Sequence, residues 1–115
     1  MSEIQIYHNP RCSKSRETLA LLKDKGIEPE VVEYLKTPPT SEQLRDILTK
    51  LGFDDPRQLM RTKEAEYKEQ GLKELSGDAL IDAMVATPKL IERPIVIKGD
   101  VARIGRPPEQ VLEII

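Results

Sequence analysis

Glu3-Ile4-Gln5-Ile6-Tyr7-His8-Asn9-Pro10-Arg11-Cys12-Ser13-Lys14-Ser15-Arg16 decides the fold, because within it a short strand gives way to a helix across one turn. Residues 3–7 alternate apolar and polar, and Pro10 stops the strand and fixes the turn. The helix read from Ser15 to Gly26 carries Leu19, Leu21 and Leu22 and ends at a glycine. Cys12 is the only cysteine in the chain and stands at the start of that helix. The first N–H groups of a helix have no intrahelical partners, and together with the macrodipole they stabilise an anion placed there. A thiolate is such an anion. Free cysteine ionises only near pKa ~8.5, so Arg11, Lys14 and Arg16 beside Cys12 favour the nucleophilic form, with His8 and the Ser15 hydroxyl placed to help. A lone cysteine is more often a small buried hydrophobe. Here polar Ser13 and Lys14 follow it, a poor setting for a core residue, and the reading is a catalytic thiolate.

Outward from this turn, Val31-Val32-Glu33-Tyr34 supplies a second strand, and a helix of about three turns between the two predicts a right-handed parallel βαβ unit. Thr40-Ser41-Glu42-Gln43 reads as a capping box. It opens a helix with Leu44, Ile47, Leu48 and Leu51 on one stripe and Gly52 at its end. Asp55-Pro56-Arg57 opens a short helical turn, Lys63 to Gln70 reads as a polar helix, and Ser76 to Ala86 carries Leu80, Ile81, Met84 and Val85 on one face. Residues 40–87 are therefore a helical block. Ile95-Val96-Ile97, the turn Gly99-Asp100 and Val101 to Ile104 form a hairpin, and Pro107-Pro108 begins a closing helix with Val111, Leu112 and Ile115 inward. The order βαβ, helices, ββα predicts an α/β thioredoxin-like fold with a four-stranded mixed sheet, residues 1–115 forming a single domain with a helical insertion at about 40–87.

With 115 residues, 38% of them hydrophobic and 33% charged, the chain has the composition of a soluble globular domain. One cysteine forms no internal disulfide, no apolar run approaches the ~18 residues of a membrane span, and the N-terminus lacks a signal-peptide pattern. A cytoplasmic location is expected. A net charge of −2 and four aromatic residues (Tyr7, Tyr34, Phe53, Tyr67) argue against nucleic acid as a partner. One Cys and one His assemble no structural zinc site.

Cys12-Ser13-Lys14-Ser15 is a C-x-x-S pattern, so an outside thiol must resolve any mixed disulfide formed at Cys12. A phosphatase loop, C-x5-R, fails on spacing because Thr18 occupies the sixth position after Cys12. Arg93-Pro94 and Arg106-Pro107 place arginines at strand boundaries, where a side chain can point toward the end of the first strand, and Arg61 could join them from the helical block. Arginines converging on a thiolate lower its pKa and bind a tetrahedral oxyanion bidentately.

The runs YHNPRCSKSR at 7–16, YLKTPPT at 34–40, ERPIV at 92–96 and RIGRPPE at 103–109 resemble the glutaredoxin-linked arsenate reductase family over nearly the whole chain. Two features depart from its pattern: Arg11 stands where a small residue is usual, and the chain stops soon after its last arginine. The resemblance implies Cys12 as nucleophile, His8 and Ser15 as residues tuning its thiolate, Arg61, Arg93 and Arg106 as the oxyanion-binding arginines, and a cis peptide bond before Pro94. It also implies arsenate as substrate, glutathione as co-substrate, glutaredoxin as partner, and no bound metal or organic cofactor. Two other readings compete with it. One is a non-enzymatic regulator of the same superfamily, disfavoured by Ser15 in place of a second cysteine; the other is a glutathione-linked reductase of another substrate.

Overall fold

The computed structural model describes residues 4–115. Two compact units make up the chain, one of the residues up to Thr37 with Arg93–Ile115, the other of Pro38–Glu92.

The first unit contains strands β1 (Ile4–Tyr7), β2 (Glu30–Val32), β3 (Ile95–Lys98) and β4 (Val101–Ile104) and helix α1 (Ser13–Asp24). The sheet order is β2-β1-β3-β4, with β1 parallel to β2 and antiparallel to β3, and β3 antiparallel to β4. This is the mixed sheet expected from the sequence. Of the first expected strand, Glu3 lies outside the described residues. Ile6 and Val96 are cross-strand partners, and with Ile4, Leu22 and Val111 they form the buried core beside Leu19, Leu21, Ile27 and Ile114. On the sheet's other face, the buried rings of Tyr7 and Tyr34 stack with centroids 6.5 Å apart.

Three elements of this unit differ from expectation. α1 begins at Ser13 rather than Ser15, directly after Cys12. β2 ends at Val32, because Lys36 and Thr37 donate their N–H groups to the Glu33 carbonyl and turn the chain. The closing segment Pro108–Ile114 is a 3-10 helix rather than an α-helix. Its period of three places Val111 and Ile114 against the core, and Ile115, expected inside, is 38% exposed. The Arg93-Pro94 bond is cis as expected, and so is Arg106-Pro107.

The second unit holds α2 (Ser41–Leu51), α3 (Ala65–Glu69) and α4 (Asp78–Ala86), joined by 3-10 turns at Pro56–Leu59, Leu72–Glu74 and Pro88–Leu90. The capping box forms as read: the Gln43 N–H donates to Thr40 Oγ1 at 3.1 Å, and the Thr40 N–H donates to Gln43 Oε1 at 2.9 Å. Gly52 closes α2 with φ 74°, a conformation that favours glycine. Leu44, Ile47 and Leu48 are buried in this unit, as are Leu80, Ile81 and Met84. The polar helix read over 63–70 shrinks to five residues, none of them buried.

Candidate active site

The register of the sheet gathers the chemistry at one edge. Tyr7 pairs with Val32 and with Ile95, and Ile95 pairs with Ile104. The segments that continue from β1, β2 and β4, and the one that enters β3, therefore all emerge there, bringing Cys12, Arg93 and Arg106 to the carboxyl end of β1. Ligands bind at this edge in open α/β sheets.

Cys12 is the N-cap of α1, with extended backbone (φ −94°, ψ 123°). No acidic residue occupies the first turn of α1, so no carboxylate competes for its amides. The side chain is buried, 8% exposed, rather than open at the surface as the polar residues after it implied. Burial pushes the thiol pKa up. The N–H of Ser15, the positive charge of Arg93, the N–H of Lys14 and a hydrogen bond from Arg93 outweigh it, and the pKa lies below that of an ordinary thiol. Arg93 thus acts on the sulfur from across the sheet edge. Arg11, Lys14 and Arg16 are exposed, and Arg16 donates to the Pro10 carbonyl at 3.1 Å.

Arg106 donates from Nη2 toward Cys12 Sγ at 3.8 Å and from Nε to the Arg93 carbonyl at 2.8 Å. The Gly105 N–H donates to the Pro94 carbonyl at 2.9 Å. A Cβ at Gly105 would lie 2.5 Å from Thr18 Oγ1 and 2.9 Å from Pro94 Cγ, so the bare backbone is what lets this turn close on α1. Sequence reasoning passed over Gly105. Its signal was the glycine between the end of a strand and Arg106-Pro107.

The Ser15 side chain is fully buried, and its Oγ accepts the Asn9 N–H at 3.0 Å and lies 2.6 Å from His8 Nδ1. Burial lowers the His8 pKa, opposed by Glu33 and assisted by Lys23 and Arg16, so the imidazole is neutral at pH 7. The His8 and Ser15 side chains are bonded to each other and, through Ser15 Oγ, to the turn at Asn9. What Ser15 presents to the sulfur is its backbone N–H. Asn9, not singled out from the sequence, ties the turn together: its carbonyl accepts the Cys12 N–H at 3.0 Å and its Oδ1 accepts the Arg11 N–H at 3.0 Å. The Asn9-Pro10 pair was the available signal.

Arg61 belongs to the helical unit. Its N–H donates to the Leu90 carbonyl at 2.7 Å, next to the antiparallel bridge between Met60 and Ile91. Its guanidinium pairs with Glu64 and lies 4.0 Å from Glu92.

Among the described residues no helix is long and apolar enough to cross a membrane. The model of the ArsC family matches residues 7–114. The protein YfgD of Escherichia coli strain K12, whose name states no activity, is 63% identical over 115 residues, covering 98% of this chain and 97% of its own. The arsenate reductase of Haemophilus influenzae is 56% identical, covering 96% of this chain and 97% of its own. The solved structure of the arsenate reductase from Vibrio cholerae superposes with a TM-score of 0.95 at 57% identity, over 97% of each chain.

Proposed function

The chain belongs to the ArsC family, and from this together with the arginines at Cys12 we infer that it is an arsenate reductase, converting arsenate to arsenite. The observation that carries the reading is the approach of two guanidinium groups, Arg93 and Arg106, to one buried sulfur at a helix N-terminus. A nucleophile and an oxyanion cradle share one place there.

The Cys12 thiolate attacks arsenic, an S–As bond forms, and one oxygen leaves as water after protonation. Arg93 and Arg106 hold the remaining oxygens, and Arg61 is the third arginine that the family resemblance implies. Glutathione displaces a second oxygen as water, so that arsenic, still pentavalent, joins two sulfurs. The glutaredoxin thiolate then attacks the glutathione sulfur, a disulfide forms, and the As–S electron pair stays on arsenic, now trivalent. Water replaces Cys12 and arsenite leaves. Thiols supply both electrons, and no step calls on a metal or organic cofactor. His8 and Ser15 contribute by fixing the turn that aims α1 at the sulfur. The glutathione-rich cytosol is the compartment this chemistry requires.

Purified protein with arsenate, glutathione and glutaredoxin is expected to produce arsenite, and Cys12→Ser to produce none. Arsenite formation no faster than in the Cys12→Ser control would overturn the assignment.

A further inference from the structure

We propose that Glu64 is a specificity-determining residue: a carboxylate that occupies Arg61 in the resting protein, passes to Lys89 when Arg61 is released, and reserves Arg61 for a dianion. The inference rests on the reductase reading, in which Arg61 is the third arginine for the oxyanion.

Backbone bonds place the parts. The Arg61 N–H donates to the Leu90 carbonyl and the Glu92 N–H to the Leu59 carbonyl, both at 2.7 Å, on either side of the bridge between Met60 and Ile91. The Glu64 N–H donates to the Arg61 carbonyl at 3.1 Å and closes the turn that brings Glu64 back to Arg61. Arg61 Nη1 is ion-paired with Glu64 Oε1, and Arg61 Nε lies 4.0 Å from Glu92 Oε1. A guanidinium grips an oxyanion through two prongs, either Nε with Nη2 or Nη1 with Nη2. A carboxylate stands at one prong of each edge. The Arg61, Glu64 and Glu92 side chains are only 26%, 18% and 23% exposed, so water screens these pairs in part. Arg61 therefore binds an oxyanion bidentately by exchanging a carboxylate for it.

Lys89 makes the exchange easy. Its Nζ lies 3.6 Å from Glu64 Oε2, the oxygen opposite the one paired with Arg61, and 3.4 Å from Glu66 Oε2. When Arg61 leaves, Glu64 keeps a cation and no charge is stranded. A tetrahedral dianion offers Arg61 two charge-assisted bonds and a larger charge than Glu64 does, whereas a monoanion offers no more than Glu64.

The test follows alkylation of Cys12 by uncharged iodoacetamide and the sulfate concentration that halves its rate, at constant ionic strength. Sulfate is a tetrahedral dianion that does not react with the thiolate. Glu64→Gln is expected to lower the half-protecting concentration about fivefold, and Lys89→Gln, which leaves Glu64 to Arg61 alone, to raise it about threefold. Both shifts are expected to vanish in an Arg61→Ala background. Glu66→Gln, which removes the same charge from a carboxylate paired with Lys89 rather than Arg61, is expected to stay within about twofold of wild type. Nitrate, a monoanion, is expected to protect Glu64→Gln and not wild type. Lys89→Gln, at an exposed side chain, reads the same exchange should Glu64→Gln misfold. A Glu64→Gln shift that persists without Arg61, or is matched by Glu66→Gln, would mean a general field effect and overturn the proposal. Unchanged or weaker protection in Glu64→Gln, the mark of a carboxylate that orients Arg61, would overturn it, as would nitrate protecting both proteins equally. Arsenite production without the Glu64→Gln shift would leave the reductase reading standing and remove the exchange; the shift in a protein that makes no arsenite would do the reverse.

Discussion

At Cys12 the opposing influences have a measurable balance. Alkylation rate against pH is expected to show a midpoint below the ~8.5 of a free thiol, and Arg93→Ala is expected to move that midpoint upward because the principal cation is gone. A wild-type midpoint at the free-thiol value would refute the helix-terminus argument. The sign carries into stability. A native pKa below the unfolded one contributes stability that is present above the unfolded thiol's pKa and lost as pH falls through the native value. The arginines are tested differently: replacing Arg61, Arg93 or Arg106 with Lys keeps the charge and removes the planar fork. Catalytic efficiency for arsenate is expected to fall about ten- to a hundredfold, the equivalent of about 1.5–3 kcal/mol, with the circular dichroism spectrum unchanged. Lys variants as efficient as wild type would mean that bidentate geometry plays no part.

Among the elements, the turn after β4 is where fold and site meet. Gly105→Ala drives a methyl group into Thr18 and Pro94, and the turn relaxes by carrying Arg106 away from Cys12. The expected result is a higher KM for arsenate and a higher thiol pKa, with stability lowered by about 1–3 kcal/mol. Thr18→Ala in the same chain removes the nearest obstacle and restores part of both; an unchanged KM in Gly105→Ala would show that the turn does not set the arginine. Element type was readable wherever local chemistry decides it, as in the Thr40 capping box and the Gly99-Asp100 hairpin. It was misread where the choice is between helices of similar composition. Val111, Leu112 and Ile115 fit an α stripe on paper, whereas a 3-10 helix presents Val111 and Ile114. Nothing in the spacing of so short a segment separates the two.

For the molecule as a whole, the strand order followed from one parallel crossover and one hairpin, and it brings Arg93 and Arg106 to the end of β1. Arginines ahead of prolines at strand boundaries made that part of the site legible. Burial of the sulfur was not, because Arg93 and Arg106, distant in sequence, meet Cys12 only in the folded chain, and the residues beside it are exposed. A cysteine at the start of α1 has a consequence for the global stability of the protein. Serine is among the preferred N-cap residues and cysteine is not, so at acid pH, where the thiol is neutral, Cys12→Ser is expected to unfold at a higher temperature, by about 1 kcal/mol in stability. A Tm equal to or lower than that of wild type would contradict this. In a laboratory selection for heat resistance conducted without arsenate, Cys12 is a position where improvement is easy to find, and each gain there extinguishes the chemistry.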